Sequence, residues 1–140
     1  MYVSCAATRS ANNPTGDLAE YLFCKAFGWT QAGNSNPNVD AIAEDGCRYQ
    51  IKGRRMTRHN KSRQLSAIRD FAGHHFDFLA GLLFTEDYGV FRAALVPYAI
   101  VEQRAKFVAH TNSHKFIMHD DVWTASGVRD VTERLRAITL

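Results

Sequence analysis

The stretch Val39-Asp40-Ala41-Ile42-Ala43-Glu44-Asp45-Gly46-Cys47-Arg48-Tyr49-Gln50-Ile51-Lys52 decides how this chain folds. Apolar and polar residues alternate on both sides of Glu44-Asp45-Gly46, the two-residue period of strands that bury one face. Two loop lengths compete. A two-residue Asp45-Gly46 turn pairs Asp40 with Ile51 and sends Gln50 and Lys52 to the face opposite Asp40. A three-residue Glu44-Asp45-Gly46 loop, with Gly46 in the left-handed region, pairs Ala43 with Cys47 and Asp40 with Gln50. That second register collects Val39, Ala41, Ala43, Cys47, Tyr49 and Ile51 on one face. Asp40, Arg48, Gln50 and Lys52 fall on the other, with Ile42 the one apolar side chain among them. A slip of one residue would scatter both sets, so the three-residue loop is expected.

Working outward, Asn12-Asn13-Pro14-Thr15-Gly16 is a polar break suited to a helix start, preceded by a short arm. From Asp17, residues Leu18, Ala19, Leu22, Phe23, Ala26 and Phe27 form one stripe at helical spacing, and Gly28 is a natural stop. Glu20 borders that stripe. Downstream, Leu65, Ile68 and Phe71 recur at helical spacing and predict an amphipathic helix carrying Arg63 and Arg69 outward. Phe76 to Phe84 reads as a central strand covered on both sides, turned by Glu86-Asp87-Tyr88-Gly89 into a second strand, Val90 to Val96. Pro97 opens a helix to about Phe107, His114 to Met118 add a short edge strand, and Val128, Val131, Leu135 and Ile138 mark a last helix. The expectation is one α/β domain over 1–140: an arm at 1–14, a core at 15–96, and peripheral elements at 97–140. Its sheet is mixed and four- to five-stranded, flanked by helices on both faces.

Composition sets the class. Apolar residues are 46% and charged residues 22% of the 140, an ordinary globular balance. No basic-then-apolar leader and no apolar run of membrane length is present, so a soluble cytoplasmic protein with no membrane partner is expected. Cys5, Cys24 and Cys47 are widely spaced and read as buried reduced thiols. The net charge is +3, yet Gly46 to Arg69 holds eight of the 17 basic residues and no acid. Taking those eight from the total leaves the remainder at −5. Arg48, Arg54, Arg55, Arg58, Lys61, Arg63 and Arg69 therefore concentrate a positive field suited to a polyanion, with a merely solvated cationic surface as the plainer alternative.

Phosphodiester hydrolysis needs a cation at the phosphate and a water delivered in line. Asp40 and Glu20 offer carboxylates to a hard divalent ion, Gln50 an amide oxygen, and Lys52 an amine two residues further along the same face. Asp40, followed ten residues later by Gln50-Ile51-Lys52 and preceded by Glu20 on a helix, resembles the restriction-endonuclease-like PD-(D/E)xK superfamily over roughly residues 15 to 96. The resemblance implies a restriction-endonuclease-like core and a Mg2+-dependent DNA endonuclease, with Mn2+ as a substitute. In it Asp40, Gln50 and the Ile51 carbonyl ligate the metal, Lys52 positions or activates water, and Glu20 assists from its helix. Gln50 stands where Glu or Asp is usual, and no proline directly precedes Asp40. An amide keeps the oxygen but removes one negative charge, which weakens metal binding.

Cutting both strands with one site per chain calls for a homodimer. No phosphate-cradling G-x-x-x-x-G-K-[ST] loop occurs, so no nucleotide cofactor is expected. His110, Asn112 and His114 lack the further ligands of a zinc site. Asp77 reads as a strand-start acid bonded to nearby backbone. The competing function is a nuclease-like module that has lost catalysis and binds nucleic acid or builds a complex.

Overall fold

A computed structural model describes residues 13–33 and 38–139. The first helix, α1 (Pro14–Phe27), starts about one turn earlier than its apolar stripe indicates. Asn13 caps it, accepting the Gly16 amide on Oδ1 at 3.0 Å, and Pro14 presets φ where no N–H is needed. Asp17 in the first turn and Lys25 in the last both suit the helix dipole. Gly28 ends the helix at φ 70°, its amide bonded to Cys24 O. The arm up to residue 12, Cys5 and Pro37 lie outside the described residues.

The hairpin takes the three-residue loop. In β2 (Ala41–Ile42) and β3 (Arg48–Arg55), Ala41 faces Tyr49 and Ile42 faces Arg48. Ala43 N–H donates to Cys47 O at 2.9 Å, and Gly46 holds φ 88°. On the far side of β2 lies β1 (Thr30–Gln31). The apolar run forms β5 (Phe78–Phe84), parallel to β3 from Tyr49/Phe78 to Arg55/Phe84, and β6 (Val90–Pro97) returns antiparallel to it. A last strand, β9 (Arg129–Asp130), closes a mixed six-stranded sheet in the order β1-β2-β3-β5-β6-β9. That exceeds the four to five strands expected, because β1 and β9 are two residues each and leave no period to read.

Each face of this sheet carries its own core. On one, α1 and α3 (Thr132–Arg136) bury Leu18, Leu22, Phe23 and Leu135 against Tyr49, Ile51, Leu82 and Leu95. On the other, Leu79, Leu83, Ala94 and Val96 meet Leu65, Ile68, Phe71, Phe116, Met118 and Trp123. The second face has one short helix, α2 (Tyr98–Arg104), beside a small antiparallel sheet. That sheet is ordered β4-β8-β7, formed by Ile68–Arg69 (β4), Ser113–Lys115 (β8) and Lys106–Val108 (β7).

Four expectations are corrected here. The helix expected around Leu65, Ile68 and Phe71 does not form: Gln64 bridges Ile117, Ile68 pairs with His114, and Phe71–Gly73 is a single 3-10 turn. A spacing of three with no residue at four suits an extended segment dropping side chains into a core as well as it suits a helix. The terminal helix is short, since Arg129 and Asp130 are drawn into the main sheet. Residues 97–140 are also more than peripheral, because they supply β9 and much of the second core; Trp123 Nε1 donates to Ala93 O at 3.0 Å. Cys24 and Cys47 are free but half-buried rather than buried. No helix among the described residues is long and apolar enough to cross a membrane.

Candidate metal and nucleic-acid site

Because β2 is short, β3 loses its neighbour on that side after Tyr49, and the ladder opens. The change begins at Asp40, whose N–H donates to Tyr49 O at 2.9 Å, the residue already facing Ala41. The hydrogen bonding thus shifts by one, as at a β-bulge, so the expected pairing of Asp40 with Gln50 does not form, and such a shift re-aims a side chain. Asp40 Oδ2 accepts the Ile51 amide at 2.7 Å, taking the place of a main-chain acceptor. In a strand the N–H and C=O of one residue point the same way, so the Ile51 carbonyl opens toward the same edge.

A cavity of about 300 Å³ occupies that edge, lined by Asp17, Glu20, Asp40, Gln50, Lys52 and Ser66 among others. The structure therefore brings Glu20, Asp40, Gln50, Ile51 and Lys52 to one place. Gly53 lets α1 approach: a Cβ there would lie 3.0 Å from Ala19 Cβ and 3.2 Å from Phe84 Cε2. That close packing holds Glu20 over the cavity, where its Oε1 accepts from Gln31 Nε2 at 2.7 Å. Lys52 Nζ donates to Ser66 Oγ at 2.9 Å and to Ala67 O at 3.1 Å. Burial holds its ammonium pKa below the ordinary lysine value; Asp40 pulls the other way, and Arg69 adds to the lowering.

Gln50 is 7% exposed, and its buried Oε1 has no hydrogen-bond partner among the described residues. An orphaned buried acceptor costs roughly 1–3 kcal/mol. This oxygen shares its cavity with carboxylates from two elements, and an all-oxygen donor set suits a hard divalent cation. No three His, Cys, Asp or Glu side chains among the described residues group closely enough to hold a metal by themselves. A cation here would depend on the amide and the main-chain carbonyl.

Compared with protein-family models and with curated proteins, the chain matches none.

The basic segment divides by role. Arg48 is committed to Asp77: Nη2 donates to Oδ1 at 3.0 Å, Nε to Oδ2 at 3.2 Å, and the Arg48 amide to Oδ2 at 2.8 Å. The Arg48 guanidinium holds the Asp77 carboxyl below the usual range. Asp77 is thus bonded to nearby backbone, as its place at a strand start suggests. Arg63 pairs with Asp120 at 2.6 Å. Arg55 and Arg69 donate to the carbonyls of Glu86 and Thr111, which leaves their charge available to an anion. Arg58 and Lys61 are exposed on the loop after β3, while Arg54 is half-buried.

Two residues of the cavity went unread in the sequence. Asp17, 5% exposed, stands three residues before Glu20 on one helix face, a spacing that could have identified it. Ser66 carries no local signal, since only the fold brings it to Lys52.

Proposed function

We propose that the protein is a metal-dependent DNA endonuclease of the PD-(D/E)xK type, with a restriction-endonuclease-like core. The observation that carries this reading is the convergence of Asp40, Gln50, Lys52 and Glu20 on one cavity in which the Gln50 oxygen has no partner among the described residues. Asp40, Gln50, Glu20 and the Ile51 carbonyl would hold Mg2+ or Mn2+. A cation bound there supplies charge neutralisation at the phosphate and lowers the pKa of a bound water. The chain's own residues do the rest. An ammonium has three donors, two of which go to Ser66 and Ala67, so Lys52 keeps one for a phosphate oxygen or the attacking water. Arg58 and Lys61, with Arg55 and Arg69, would hold the DNA backbone by salt-sensitive contacts. A homodimer would present two such sites to a duplex. The test is cleavage of plasmid and branched DNA with magnesium or manganese by wild type, Asp40→Ala and Lys52→Ala. Both substitutions are expected to lower the rate at least ~100-fold, and cleavage that survives both overturns the site.

A second reading, a nucleic-acid-binding module without catalysis, is favoured by Gln50 standing in place of a carboxylate and by the lack of a three-acid cluster among the described residues. Calorimetry separates the two: the module predicts salt-dependent DNA binding with no manganese heat, and heat lost in Asp40→Ala rules it out.

A further inference from the structure

Among the described residues Phe107 is the only large apolar side chain left exposed, at 58%. One exposed phenylalanine is ordinary; its setting is not. Phe107 stands directly across β7 and β8 from His114, with ring centroids 5.3 Å apart, and the His114 ring lies 5.0 Å from that of buried Phe71. These rings form a row anchored in the second core and ending in solvent. Beside them opens a cavity of about 460 Å³, also lined by Arg69 and Asn112.

We propose that this cavity receives an unpaired nucleobase of the DNA substrate, stacked on Phe107 with the His114 ring, tilted 58° from it, against the base edge. The inference rests on the nuclease reading and deepens it by naming the substrate class: DNA with unpaired nucleotides beside the cut. Every base has a π-face, so an aromatic platform takes any of them. The planar Arg69 guanidinium suits the adjoining phosphate, and the Asn112 amide offers a donor and an acceptor to a base edge. Position agrees with chemistry. Ala67, whose carbonyl accepts from Lys52, is two residues before Arg69 along β4 and its approach. Two extended residues span about 7 Å, one or two nucleotides of a strand. A paired base stays inside its helix, so only an unpaired or extruded one reaches the platform.

The experiment measures binding by the whole chain in EDTA, using a labelled oligothymidine of about 12 nucleotides and a blunt duplex of the same length. Phe107→Ala is expected to weaken oligothymidine binding on the order of tenfold while duplex affinity stays within about twofold. Phe107→Trp should restore binding, with its emission quenched when the oligonucleotide is added. Equal affinity of wild type and Phe107→Ala for the single strand overturns the proposal, as does an equal loss on both probes. Plasmid cleavage by the same preparations judges the nuclease reading separately. Wild-type cleavage with wild-type oligothymidine binding in Phe107→Ala removes the platform alone, whereas a wild-type protein that neither binds nor cuts removes both.

Discussion

Replacing Gln50 by glutamate tests the cation site by adding a charge where the volume stays the same. Gln50 is buried, its Oε1 lacks a partner, and Asp40 and Glu20 line the same cavity. Two carboxylates about 5 Å apart within one cavity repel by about 3 kcal/mol at an effective dielectric of ~20. Glu20 adds to this and Lys52 offsets part of it, so the metal-free variant should lose about 2–3 kcal/mol. At ~3 °C per kcal/mol for a domain of this size, Tm falls by roughly 6–9 °C. The introduced carboxyl would have a raised folded pKa, so its penalty applies above that pKa and disappears below ~4.3, the unfolded value. A cation at about 100 times its Kd stabilises by about 2.7 kcal/mol, enough to cancel the loss. The assay is thermal unfolding in EDTA and across a manganese titration, where Gln50→Glu should start lower than wild type and climb more steeply. A deficit that manganese leaves unchanged refutes the assignment of Gln50 to a cation site.

Other consequences follow from the same contacts. Lys52→Met should remove one upward contribution to stability at alkaline pH, read as the difference between variant and wild type, because the raised pKa values of Tyr49 and Cys47 pull the net profile the other way. The folded pKa of Lys52 lies below 10.5, so this group alone binds more protons in the unfolded chain between the two values and contributes stability that grows with pH across that window. Urea unfolding from neutral to alkaline pH detects this. Asp77→Asn should cost about 1 kcal/mol at neutral pH, discounted because the Arg48–Asp77 pair is more than a third exposed. That advantage of wild type is full above pH 3.8 and is lost as pH falls through the lowered folded pKa, which acid-side urea curves would show. Gly53→Ala should overpack α1 against β3, costing about 1–3 kcal/mol and slowing cleavage because Glu20 moves with the helix. Adding Ala19→Gly, which removes the atom 3.0 Å away, should recover part of both in a double-mutant cycle.

Legibility in the sequence tracks how local the forces are. The hairpin register could be read because a positive-φ glycine and a two-residue period both act within a few positions. The same holds for α1, bounded by Asn13-Pro14 and Gly28, and for β5, whose unbroken apolar run announces two covered faces. The crossover from β3 to β5 could not be read that way. Gln64 and Ile68 satisfy their backbone through Ile117 and His114, some fifty residues on, and nothing near Leu65 records that pairing. Gln50 and Lys52 were visible as a pair because they alternate along β3, and Asp40 was visible because it stands directly before β2, although only the fold shows that its carboxylate takes the Ile51 amide.

Sequence alone therefore determined the hairpin, its register, the flanking helix and the cluster of positive charge, since propensity and periodicity act over a few residues. Tertiary structure decided which charges are spent on ion pairs, as Arg48 and Arg63 are, and which remain for a ligand. It also decided that Asp17 and Ser66 join the cavity, that the Gln50 oxygen is left unpartnered, and that Phe107 faces solvent. Burial and hydrogen-bond satisfaction belong to surfaces assembled from distant segments, so they come into being only when those segments meet.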